Sequence, residues 1–148
     1  MTHPLDLQNY IGHLIRRAEQ VHTSLWFQHV SRDITSQQFA VLNALSRKAG
    51  IDQRTLARLT SLDRSTINQM IRRLTDQGHV SQVRDEADRR RTLLELTEQG
   101  SHLLATLIPP AERVNEQLLH LLPPEQRALT IDSLRRIAFM EEEPGGDG

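Results

Sequence analysis

The chain has 148 residues, 37% hydrophobic and 25% charged, a soluble composition able to bury a core, with no apolar run near the roughly 18 residues of a membrane span. Cysteine is absent, which excludes disulfides, thiolate metal sites and thiol redox sensing. The net charge of -1 hides an uneven spread: Arg47 to Arg91 holds eleven Arg or Lys against six Asp or Glu, while the flanks together hold seven against thirteen.

Met1 to Asp6 has neither the basic nor the apolar segment of an export signal, so the expected location is cytoplasmic. From Leu7 to about Val30, apolar residues recur at three and four (Ile11, Leu14, Ile15, Ala18, Val21, Leu25, Trp26), which predicts one long amphipathic helix. Ser31 to Thr35 is a polar break. Thr35 or Ser36 caps a second helix with Phe39, Leu42 and Leu45 inside, and Gly50 closes it. Asp52 caps a short helix, Gln53 to Thr60. After the turn Thr60-Ser61-Leu62, Asp63 caps a fourth helix that runs to Gln77 and stops at Gly78.

The period then changes from helical to alternating. His79 to Arg84 predicts a strand, Asp85 to Arg91 a charged turn, and Thr92 to Leu96 a returning strand. Thr97 caps a helix with Gly100 in its first turn. The apolar pattern continues to about Leu122, but Pro109-Pro110 is expected to kink or break the helix. Pro123-Pro124 marks a turn before a last helix, Glu125 to Met140, with Leu129, Leu134 and Ile137 inward. Residues 141–148 read as an acidic, disordered tail. The expected fold is mainly α with a small β-hairpin. Residues 34–100 form a winged helix-turn-helix, and residues 1–33 and 101–140 a helical dimerisation region. The terminal helices carry too much leucine for a lone chain to hide, so a homodimer through both ends is expected.

The reading head is the clearest functional signal. Burying Ile67, Met70, Ile71 and Leu74 turns Arg64, Ser65, Asn68, Gln69 and Arg72 outward, and these side chains can hydrogen-bond base edges in a major groove. Thr66, Arg54 and Arg84 are further candidate DNA-binding residues, and Arg73, nearer the flank, is placed for phosphate. Asp88-Arg89-Arg90-Arg91 sits near the hairpin tip. Three adjacent arginines repel one another, a poor arrangement for stability alone, but one of them can enter a minor groove while Asp88 pairs with an arginine and holds it extended. The plainer alternatives are an ordinary amphipathic surface helix and a solvated charged turn.

The stretch from Asp88 through Leu96-Thr97 to Gly100 resembles the wing signature of the MarR family of bacterial transcriptional regulators: Asp, any residue, Arg, then a short strand ending in Leu-Thr with Gly three residues on. Leu56-Ala57-Arg58-Leu59 and Asp63-Arg64-Ser65-Thr66 are similar to its helix-turn-helix, and the helix order fits nearly the whole chain. The resemblance implies a homodimer on a palindromic double-stranded operator, with Arg90 as the wing-tip arginine and Asp88 its partner. It further implies a repressor released by a small ligand.

Gly12 to Ala18 resembles the first helix of family members that answer to aromatic carboxylates. His13, Arg16, Arg17, His22 and Trp26 are therefore the candidate effector residues: arginine can grip a carboxylate, and histidine or tryptophan can meet a ring. Alternatively, His22 and Trp26 belong to the core and both arginines are solvated. Glu19 with His22 and Glu116 with His120 have ligand spacing, so a metal-responsive regulator is a second reading, although no metal or other cofactor is expected. A third is a dimeric interaction module that binds no DNA. No phosphate loop, nucleophile elbow or dense Asp/Glu/His cluster points to an enzyme.

Overall fold

A computed structural model describes residues 1–140; the expected acidic tail, 141–148, lies outside the described residues. Six helices and a three-stranded antiparallel sheet follow in chain order: α1 (Ile11–His29), α2 (Ser36–Arg47), β1 (Ile51–Asp52), α3 (Gln53–Thr60), α4 (Arg64–Asp76), β2 (Val80–Arg84), β3 (Thr92–Leu96), α5 (Glu98–His120) and α6 (Pro124–Ala138). The strand order is β1-β3-β2, with Val80 opposite Leu96 and Arg84 opposite Thr92. This is the winged helix-turn-helix expected from the pattern. Among the described residues, no helix is long and apolar enough to cross a membrane.

The caps explain why the helices start where they do. Thr35 and Gln38 form a reciprocal capping box on α2, and Asp52, Asp63 and Thr97 each accept a backbone N–H in the first turn of α3, α4 and α5. The α3–α4 turn closes with Ser61 in the left-handed region (φ 54°), a conformation that costs a residue with a Cβ about 1 kcal/mol. There the N–H of Ser61 donates to the Arg58 carbonyl, and that of Leu62 to the Ala57 carbonyl. Leu62 thereby packs against the core.

That core lies under the reading head. Leu42, Leu45, Leu56, Ile67, Leu74 and Leu94 are fully buried, each stabilising the fold by about 1.5–3 kcal/mol. Leu104 and Leu107 bring α5 against the same cluster.

Four expectations change. The first helix does not begin at Leu7: Asp6 caps a separate 3-10 turn, Leu7–Asn9, and extended Tyr10 divides it from α1. A strand the pattern did not reveal, β1, joins the sheet, pairing Ile51 with Leu94 and Asp52 with Leu93. Pro109 and Pro110 do not end α5, which continues to His120. Each lacks the N–H that would reach back four residues, but the residues deprived of it, Ala105 and Thr106, are exposed, so water can meet their carbonyls. Finally, Leu129, Leu134 and Ile137 do not face inward within one chain; they are 65%, 54% and 45% exposed, and α6 buries none of its residues.

One junction ties the wing to α5. The Thr97 hydroxyl donates to the Gly78 carbonyl (2.6 Å) and accepts from the Gly100 N–H (3.0 Å), while the Thr97 N–H donates to the His79 carbonyl (3.1 Å). Gly78, at φ 81°, closes α4. At Gly100 a Cβ would collide with the His79 carbonyl and the Leu96 side chain. Gly100→Ala is therefore expected to lower stability by about 1–3 kcal/mol, read as a lower urea midpoint.

Candidate nucleic-acid interface

Helix α4 stands with its apolar stripe on the core: Ile67, Ile71 and Leu74 are buried and Met70 is half-buried. Geometry then dictates the rest. Arg64, Ser65, Asn68, Gln69, Arg72 and Arg73 are exposed, as are Arg54 on α3, Arg84 at the end of β2, and Asp88, Arg89, Arg90 and Arg91 in the β2–β3 loop. Thr66 is half-buried and occupied: its N–H donates to Asp63 Oδ1 (2.8 Å) and its hydroxyl to Asp63 Oδ2 (2.7 Å), so it shapes the start of α4.

A groove of about 800 Å³ runs between α3, α4 and the wing. Arg54, Arg64, Asn68, Arg90 and Arg91 line it, bringing helix and hairpin cations onto one concave surface. A second groove, about 430 Å³, takes Asn68 and Arg72 together with Gln82 of β2. Asn68 thus borders both. Ser65, Gln69, Arg73, Arg84 and Arg89 border neither.

The wing tip is built differently from the expectation. The Asp88 carboxylate takes no guanidinium; its Oδ1 accepts the backbone N–H of Arg90 (3.0 Å), and its carbonyl accepts the N–H of Arg91 (2.9 Å). A short acidic side chain two residues before the amide it binds closes a turn, and the Arg90 backbone is fixed by it. The arginine that is paired is Arg91, whose guanidinium donates to Asp52 Oδ2 at 2.9 Å. Asp52 was legible as a helix cap, but its second partner was not, because that contact depends on the unforeseen β1–β3 pairing.

Both capping carboxylates are held below the ordinary value of 3.8. For Asp52 the causes are hydrogen bonds from the Thr55 side chain and backbone, then the Arg91 guanidinium; for Asp63 they are the Thr66 backbone and side-chain hydrogen bonds. A depressed acid stabilises the fold above its unfolded value, and that contribution is lost as pH falls through the folded one. Asp52→Asn combined with Asp63→Asn keeps a capping oxygen without the titration. The variant should therefore lose less of its urea midpoint than the parent between about pH 6 and about pH 3.

The effector candidates lie apart from this surface, on α1. Trp26 is only 4% exposed; its indole N–H donates to the Ile34 carbonyl (2.6 Å) and its ring packs against Phe39 and His22. It is a core residue with its polar edge occupied. His13 and His22 are half-buried, and Arg16 and Arg17 are exposed, Arg17 donating to Gln20 Oε1 of its own helix. A cavity of about 160 Å³ beside Trp26, bordered by Thr23, Phe27 and Ser36, includes none of the other four. Glu19 and His22 approach to 3.7 Å, but among the described residues no three metal-ligating side chains converge. The His120 ring faces the Glu116 carbonyl.

Comparison with known proteins agrees with the geometry. A profile described as the MarR family matches residues 32–91. The HTH-type transcriptional repressor NicR of Pseudomonas putida is 34% identical, the match covering 96% of this chain and 90% of NicR. The PcaV transcriptional regulator of Streptomyces coelicolor, solved in complex with its natural ligand, superposes with a TM-score of 0.89 at 41% identity, covering 95% of this chain and 100% of PcaV. Bordetella bronchiseptica BpsR, solved to explain regulation of its DNA binding by 6-hydroxynicotinic acid, gives 0.80 at 31% identity, covering 86% of this chain and 98% of BpsR.

Proposed function

This chain belongs to the MarR family of transcriptional regulators, and on that premise we propose that it represses transcription as a homodimer on a palindromic operator and is released by an aromatic carboxylate. The groove that joins the exposed face of α4 to the wing arginines carries this reading. An α-helix fits a major groove, and a hairpin arginine fits the negative potential of the adjacent minor groove. Each subunit would set α4 in one half-site, with half-sites about 10 bp apart. Arg64, Asn68 and Arg72 would meet base edges, with Ser65 and Gln69 beside them. Arg90 would enter the minor groove, and Arg54, Arg73, Arg84 and Arg89 would meet phosphates. Residues 34–100 are thus assigned to the operator.

Residues 1–33 and 101–140 are assigned to the dimer. Leu7, Ile11, Leu14 and Ile15 at one end of the chain, and Leu121, Leu129, Leu134 and Ile137 at the other, stand exposed in a single chain. Apolar surface of that extent favours a partner, and a second copy closes it by symmetry. The effector would lie between the dimer helices and the reading head, its carboxylate on Arg16 or Arg17 and its ring near His13 and His22, with Trp26 as buried backing. Regulation of BpsR by 6-hydroxynicotinic acid supports that ligand class.

Two measurements test this. A duplex is first selected from a randomised library by the unmodified protein; failure to enrich any sequence would remove the DNA-binding reading. On the selected duplex, Asn68→Ala should relax preference at particular base pairs, while Arg90→Ala weakens binding across sequences. Titrating 6-hydroxynicotinate or a hydroxybenzoate should release the complex, and Arg17→Ala should bind DNA normally yet resist release. No release by any aromatic acid would count against the effector.

A further inference from the structure

Among the described residues, the ion pairs other than Arg91 with Asp52 lie within single helices, three or four residues apart. Arg91 with Asp52 crosses from the wing to α3, joining residues 39 apart in sequence. Both partners are otherwise engaged. The Arg91 N–H donates to the Asp88 carbonyl and its own carbonyl accepts from Asp85, so its backbone closes the hairpin loop. Asp52 Oδ1 accepts the Thr55 N–H (2.8 Å) at the start of α3, while Oδ2 takes the guanidinium. Arg89 and Arg90 have no carboxylate within ion-pair distance among the described residues.

Three adjacent arginines therefore divide into two roles. We propose that Arg91 is not a phosphate contact but a positioning residue, latched to Asp52 so that the wing is held at a set angle to α3 and α4 with Arg90 presented to DNA. A hairpin tip without such a tether explores many orientations, and binding must then order it. The latch moves that cost into the free protein. An exposed pair stabilises a fold little, so its effect falls on DNA affinity. The Asp52 charge also cancels one of the groove's cations, an arrangement that disfavours a polyanion unless the pair does something else.

This proposal rests on the DNA-binding reading above. Enrichment of a duplex by the unmodified protein establishes that reading separately, before any variant is made. On that duplex, affinity is measured against salt concentration for Asp52→Asn, Arg91→Ala, the double variant and Arg90→Ala. Losing a phosphate contact lowers the slope of log K against log salt by about 0.9 per contact. The expected result is that Arg90→Ala lowers the slope and Arg91→Ala does not. Asp52→Asn and Arg91→Ala should each weaken binding about tenfold, and the double variant no further, the signature of one coupled pair. Asn still caps α3, so Asp52→Asn should stay folded, with a thermal midpoint within about 2 °C of the parent. A reduced slope for Arg91→Ala, tighter binding by Asp52→Asn, or additive losses in the double variant would each overturn the latch.

Discussion

Thr97 joins the end of α4 and the start of the wing sheet to the first turn of α5. Its hydroxyl is donor to the end of α4 and acceptor for the start of α5, so one oxygen stitches the reading helix to the long helix that leaves the lobe. Gly100 allows the approach, because the His79 carbonyl occupies the space a side chain would need. Gly78 supplies the left-handed residue that turns α4 toward β2. The start of α5 is thus tied to the end of α4 over a few residues, and Leu104 and Leu107 carry the helix on against the core.

The rest of the molecule divides sharply by burial. The lobe from α2 to β3 closes its own core, with Leu42, Leu56, Ile67 and Leu74 sealed from water. Outside it, α1 buries only Trp26 and α6 buries nothing. The Trp26 indole N–H on the Ile34 carbonyl, with Phe39 against its ring, is the fastening of α1 to this lobe. Its aromatic bulk and its polar edge are both spent on holding the helix in place, which leaves the flanking histidines and arginines as the adaptable groups on that helix.

Much of this was legible in the residues. The capping residues Thr35, Asp52, Asp63 and Thr97 have strong local chemistry, and each caps where the pattern placed it. The outward face of α4 followed from a 3.6-residue period, and the Asp-to-Gly stretch pointed to the wing. What escaped depends on partners distant in sequence. Two-residue β1 has no period to detect and exists only because β3 runs beside it. The Arg91 contact with Asp52 required that strand. Tyr10 sets a 3-10 turn apart from α1 with no proline beside it. At the prolines of α5 the helix is not broken, because the carbonyls deprived of a donor belong to exposed residues. Asp88 was correctly placed at the tip, but a short side chain serves the nearby amide more readily than a long neighbouring guanidinium.

The capping carboxylates at α3 and α4 have a consequence for how any polyanion can dock. A helix N-terminus, with its free amides and positive dipole end, is a ready seat for a phosphate. Here both seats are taken: Asp52 and Asp63 each occupy one with a covalently attached anion. A phosphodiester approaching end-on meets negative charge instead of open amides. In the proposed DNA-binding role this leaves contact to the flanking arginines, whose long side chains tolerate variation in backbone path that fixed amides do not.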